Sequence, residues 1–261
     1  MYIMSKKIFF FLLIPFLGFS QVQIGQDIQG VEGDDNNGAC VSLSADGSIV
    51  AVGSPNSSKN GISQSGHVRI FKNISGSWIQ VGNRIEGDIH QSFSGRSVAL
   101  SSDGNIVAIG ASGNNSNIST MGQVRVYKNI LGVWTQIGNK INGKANYDAM
   151  GVSVSLSSDG STLAVGATGS GLISTGYVQI FKNISGVWTQ IGSDINGEAG
   201  GDSSGWSISL SSNGNIIAIG SPHNKGNGVA SGHVRVYENI SGVWTKIGAD
   251  IEGEATKDRS R

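Results

Sequence analysis

A single cysteine, Cys40, in 261 residues excludes any internal disulfide. Charged residues make up only 14% of the chain, and the 18 basic and 18 acidic side chains balance. No basic stripe suited to a phosphate backbone is present, which excludes nucleic acid as a partner class. Proline occurs three times. Apart from the first twenty residues there is no long hydrophobic run, so no membrane insertion is expected. Those first residues carry Lys6 and Lys7, an apolar stretch from Ile8 to Leu17, and Gly18-Phe19-Ser20 with small residues at its outer positions. The stretch falls short of the about 20 residues that span a bilayer, and it predicts a secretory signal over 1–20, cleaved after Ser20. The chain that remains has 16 basic residues against 18 acidic ones and is expected to be secreted or displayed at the cell surface.

What is abundant is glycine, with 40 residues. Four copies of a unit of about 56 residues follow one another, approximately 25–81, 82–137, 138–191 and 192–247, with the start of a further copy at 248–261. The intervals Gly25–Gly38, Gly82–Gly95, Gly138–Gly151 and Gly192–Gly205 are always 13. Those from Gly38, Gly95, Gly151 and Gly205 to Gly53, Gly110, Gly166 and Gly220 are always 15. Only the next segment varies, at 13, 12, 10 and 12 residues. Such spacing predicts repeated supersecondary units within 21–261.

The third copy shows the local pattern. Val152 to Ser157 alternates apolar and small polar residues, as a half-buried strand does. Asp159-Gly160 then marks a hairpin turn, and Thr162 to Val165 is apolar on both faces. Tyr177 to Phe181 and Val187 to Ile191 supply two further strands around a Lys182–Gly186 turn. Four short antiparallel strands per unit without helical periodicity predict an all-β propeller of four-stranded blades. Trp78, Trp134, Trp188 and Trp244 recur on the fourth strand, where packing between blades is expected. Cys40 fills the slot of Ser97, Ser153 and Ser207 and is expected to be a small packing residue.

A glycine before the first strand, the S-L-S-x-D-G turn, the Gly53-Ser54-Pro55 and Gly220-Ser221-Pro222 elements and G-x-V-x-[VIF]-[FY] together resemble FG-GAP repeats. These are the blades of integrin-alpha-type propellers, in a variant seen in secreted bacterial proteins. The resemblance implies a ring of seven blades, of which about four are present here. Val22 to Ile28 matches a fourth strand without its blade, and residues 253–258 open another unit, so a truncated product is expected; the alternative is a small four-bladed ring. The family's calcium-binding members carry D-x-D-x-D-G. At those positions this chain has Ser42, Ser44, Asp46; Ala99, Ser101, Asp103; Ser155, Ser157, Asp159; and Ser209, Ser211, Asn213. At most one carboxylate per copy survives, too few for a calcium loop.

No catalytic, cofactor or metal residues are assigned. Gly201-Asp202-Ser203-Ser204-Gly205 matches the G-x-S-x-G of serine hydrolases, but it lies in an interblade linker without a strand-to-helix elbow. His67 and His233 occupy equivalent strand positions with Gln123 and Tyr177, whereas His90 and His223 sit in unrelated loops. Asp35, Asp148, Asp202 and Asp258, with Ser92 in the second copy, are expected to cap backbone amides. The reading is a non-catalytic, secreted binding or adhesion module for an extracellular protein or glycan, self-associating if the ring is incomplete. The alternatives are a calcium-stabilised module of a larger surface protein and, behind it, a propeller enzyme. Binding is expected at the variable loops (56–65, 114–121, 169–175, 224–231) and beside the first-strand glycine, at Ala39, Arg96, Val152 and Trp206, where Trp206 could stack on a sugar.

Overall fold

The computed structural model describes residues 22–59, 61–113, 121–169 and 174–260. The expected signal segment 1–20, most of the second variable loop and part of the third lie outside these residues. Among the described residues there are twenty strands and no helix. Sheet 1 comprises β1 (Cys40–Leu43), β2 (Ile49–Ser54), β3 (His67–Ile74), β4 (Ser77–Gln80) and the short β5 (Ile85–Glu86). Sheet 2 repeats this as β6 (Ser97–Leu100), β7 (Ile106–Ala111), β8 (Gln123–Ile130), β9 (Val133–Gln136) and β10 (Ile141–Asn142). Sheet 3 has β11 (Met150–Leu156), β12 (Thr162–Ala167), β13 (Tyr177–Ile184), β14 (Val187–Gln190) and β15 (Ile195–Asn196). Sheet 4 has β16 (Ser207–Leu210), β17 (Ile216–Ser221), β18 (His233–Ile240), β19 (Val243–Lys246) and β20 (Ile251–Glu252). Within each sheet the first four strands pair antiparallel in sequence order and the short fifth pairs with the start of the third.

This is the propeller-blade architecture that the repeats imply. The third strand is longer than expected, because Lys182, Asn183 and Ile184 pair with Thr189, Trp188 and Val187. The turn shrinks to Ser185 and Gly186, both left-handed at φ 52° and 87°. The fifth strand, too short to give a periodic signal, was not anticipated.

The core lies between successive sheets. Ala51, Val68, Ile70 and Ile85 of sheet 1 pack on Val98, Leu100, Val107 and Ile109 of sheet 2, and the next two junctions repeat the pattern. Trp134 and Trp244 flank these clusters and Trp188 is buried in one; Trp134, Trp188 and Trp244 donate to the carbonyls of Val81, Ile137 and Ile191 in the preceding unit. Residues 22–29 occupy the place of a preceding outer strand: Trp78 donates to the Ile24 carbonyl at 2.9 Å and Arg69 to that of Gln29 at 2.5 Å. The two ends are uncovered. Val41 and Leu43 are 59% and 58% exposed where Val98 and Leu100 are buried, and Ile251 is 60% exposed where Ile195 is 5%. The four sheets therefore form an open arc, not a closed four-sheet ring.

Asp35, Asp148, Asp202 and Asp258 accept backbone N–H groups of the linker, as expected. At the Asp-Gly turn, the Asp46 carboxylate accepts the Ser44 hydroxyl at 2.6 Å and the Ser48 amide at 2.9 Å. With one carboxylate, already engaged by its own turn, these residues do not fit a calcium loop.

Candidate functional site

Linkers and variable loops share one edge of the sheets, because the end of each second strand faces the start of the third. The two segments are tied together by a register that repeats: Asn56 donates its amide to the Asp35 carbonyl, Gly113 to Ser92, Gly169 to Asp148 and His223 to Asp202. Each pair is 21 residues apart. The residue after each of Asp35, Ser92, Asp148 and Asp202 has positive φ: Asn36 at 55°, Phe93 at 52°, Ala149 at 54° and Ser203 at 56°.

In the fourth unit this register brings two chemically active side chains together. Ser203 Oγ lies 3.1 Å from His223 Nδ1. Asp202 braces the turn from beneath, accepting the Ala199 amide at 2.9 Å and the Asn224 side-chain amide at 3.0 Å. The neighbouring amides are committed to the fold, Ser204 to the Thr175 carbonyl and Gly205 to that of Gly220. Trp206 stands edge-on to His223, ring centroids 6.2 Å apart at 81°. Ser203, Trp206 and His223 are all half-buried, so a solute can reach them. The equivalent place between units 1 and 2 is a pocket of about 190 Å³ lined by Asn36, Ala39, Pro55, Asn56, Phe93 and Arg96.

A solvent-accessible hydroxyl beside an imidazole nitrogen has the geometry that a nucleophile and its base require. His90 and His223 do sit in different loops, but the His223 loop is tied by this register to the G-x-S-x-G segment. The constant 21-residue offset was the signal that could have found it. One other histidine makes the same kind of contact, but in the interior, where Ser57 and His67 are 1% and 0% exposed. His67 Nδ1 meets Ser57 Oγ at 2.7 Å, His233 is buried, and His90 is exposed on a linker. Gln123 donates to Asp88 and the Tyr177 hydroxyl to Asp148. Of the variable loops, 224–231 lies wholly within the described residues and 56–65 all but Asn60.

No protein-family model matches the chain, and no curated protein matches it either. Solved structures do. Hydrazine synthase of Kuenenia stuttgartiensis aligns with a TM-score of 0.53 at 13% identity, covering 87% of this chain and 52% of that one. The periplasmic gluconolactonase of Pseudomonas aeruginosa gives 0.55 at 15%, covering 81% and 56%. A protein of Bacteroides uniformis described as a 6-phosphogluconolactonase gives 0.55 at 13%, covering 85% and 74%. The chain thus spans about half the length of the first two. At this identity the likeness establishes the propeller fold. The reading as a non-catalytic module is corrected, because the blade fold it rested on is shared with proteins titled as enzymes, two of them lactonases. The FG-GAP family itself finds no matching model, and only its coarser implication, the propeller, is met.

Proposed function

We propose that this chain belongs to a serine-dependent hydrolase that opens a sugar-derived lactone, with Ser203 as nucleophile, His223 as base and Trp206 as the platform for the sugar ring. The observation that carries this reading is the 3.1 Å contact between Ser203 Oγ and His223 Nδ1 at the accessible loop edge. Two of the similar folds being lactonases supports the choice of substrate class. In the first half-reaction Ser203 Oγ attacks the lactone carbonyl as its proton passes to His223. The ring C–O bond then breaks and His223 returns the proton to the departing ring oxygen, leaving an open-chain acyl-serine. Water attacks that ester, His223 takes and returns a proton, and the hydroxy acid leaves with Ser203 restored. One water is consumed. We place the protein outside the cytoplasm on the strength of Lys6, Lys7 and the apolar run after them, and treat its repeats as FG-GAP variants on their Gly-Ser-Pro and S-L-S-x-D-G elements.

Both key residues have replacements supplied by the repeats themselves. Ala149 stands at the Ser203 position in unit 3, and Asn56 at the His223 position in unit 1. Ser203→Ala and His223→Asn should therefore fold. Each is expected to lower kcat/KM on glucono-δ-lactone by about 10²–10⁴-fold. Trp206→Ala should raise KM. A rate unchanged in Ser203→Ala would sink the proposal.

A further inference from the structure

The junctions between sheets carry a second repeated device. The residue after each linker glycine faces the residue just before the short fifth strand. At the sheet 2 position Asp88 pairs with Lys140, and at the sheet 3 position Lys144 pairs with Asp194, the same two places with their charges exchanged. At the sheet 4 position these places hold Glu198 and Asp250, two carboxylates. Lys246 reaches Asp250 Oδ1 at 2.7 Å and Arg235 lies 3.4 Å from Glu198 Oε1, which leaves one oxygen of each carboxylate.

Beneath them sits His233, 1% exposed, with neither ring nitrogen hydrogen-bonded. Its counterparts all have partners close at hand: His67 has Ser57, Gln123 has Asp88, and Tyr177 has Asp148. The residue equivalent to Ser57 is Asn224, whose side chain is turned to Asp202 and the Gly226 amide. His233 Nδ1 lies 4.0 Å from Glu198 Oε2, and donor atoms of Glu198, His233 and Asp250 all fall within 4.8 Å of one another. A buried imidazole without a partner is costly, and here it faces two acids.

We propose that Glu198, His233 and Asp250 bind a divalent transition-metal cation. One imidazole nitrogen and two carboxylate oxygens suit zinc or manganese better than a hard, all-oxygen ion such as calcium. Metal–ligand distances of about 2.0–2.2 Å require the three donors to close by roughly an ångström. The carboxylates, 47% and 17% exposed, give a path from solvent. Lys246, itself 42% exposed, can swing its ammonium into water, while Arg235 stays anchored to the Asn196 carbonyl at 2.8 Å. The cluster shares no residue with the Ser203–His223 pair, and the inference does not depend on their chemistry.

Calorimetric titration of the whole chain with Zn²⁺, with Mn²⁺ and Ca²⁺ in parallel, tests it. The repeats again supply substitutions that fold: Glu198→Lys recreates the lysine–aspartate pair of unit 3, and His233→Gln installs the residue of unit 2. Zn²⁺ is expected to bind and to raise the thermal midpoint. Both variants should weaken binding by about 100-fold or more, above the effect of removing a mere supporting contact. His67→Gln and Ser203→Ala should bind Zn²⁺ as the unsubstituted chain does, which separates this result from the outcome of any lactone assay. Absence of Zn²⁺ and Mn²⁺ binding, or binding that survives Glu198→Lys and His233→Gln, would overturn the proposal.

Discussion

Asp46 shows how one side chain sets a pH limit. Its carboxyl is held down at about 2 against an ordinary 3.8, first by the Ser44 hydroxyl and then by the amide and hydroxyl of Ser48. Asp159 is lowered in the same way, with Ser157 the main cause. Between the two values the unfolded chain binds a proton that the folded turn refuses. The turn's contribution is therefore complete above about pH 4 and fades as pH falls toward 2. Asn213 makes the same contacts in unit 4, accepting the Ser211 hydroxyl and the Asn215 amide. Asp46→Asn is thus expected to leave urea stability at pH 7 nearly unchanged and to flatten its decline between pH 4 and 2.5, which denaturation at both pH values would measure. The Asp-Gly turns were legible from sequence because their hydrogen bonds are local. The Ser203–His223 pair was not, since its partners stand 20 residues apart and meet through tertiary contacts such as that of the His223 amide with the Asp202 carbonyl. The Glu198–His233–Asp250 cluster was equally hidden: His233 read as one more strand position until the sheet register set it against the linker and the fifth strand.

At the scale of the element, two kinds of glycine explain why the repeat spacing is so rigid. Gly186 turns β13 into β14 at φ 87°, with open space around a Cβ. Gly53, at the end of β2, has no such angle, but a Cβ there would stand 2.1 Å from the carbonyl oxygen of Gly95. Gly110 and Gly166 meet Gly151 and Gly205 in the same way. The first glycine is required by backbone conformation, the second by the closeness of the next sheet. Gly186→Ala should cost about 1 kcal/mol, and Gly186→Asn less, because asparagine tolerates the left-handed region. Gly53→Ala should cost about 1–3 kcal/mol by overpacking the junction. Thermal midpoints of the three variants would rank them. Strand identity was legible because alternation and turn residues act over a few positions. Strand limits were less so: Lys182-Asn183-Ile184 is polar enough to look like a turn, yet its backbone completes the ladder with β14.

At the scale of the whole molecule, each sheet is covered on the side of its successor except the last. Ile85, Ile141 and Ile195 each lie buried under the following sheet, at 6%, 6% and 5% exposure, whereas Ile251 at the same position is 60% exposed. Ala218, Val234 and Val236, equivalent to the buried Ala164, Val178 and Ile180, are likewise only half-buried. The stabilisation supplied by a blade position thus depends on its place in the arc and not on its residue type. Deleting a buried isoleucine side chain to alanine removes its transfer free energy and leaves a cavity, about 2–5 kcal/mol together. A side chain more than half in water has little of either to lose. Ile195→Ala is accordingly expected to cost about 2–5 kcal/mol in denaturant titration, and Ile251→Ala under about 1 kcal/mol. Equal losses at the two positions would mean that the outer face of sheet 4 is covered in solution, and the open arc described by these sheets would have to be abandoned.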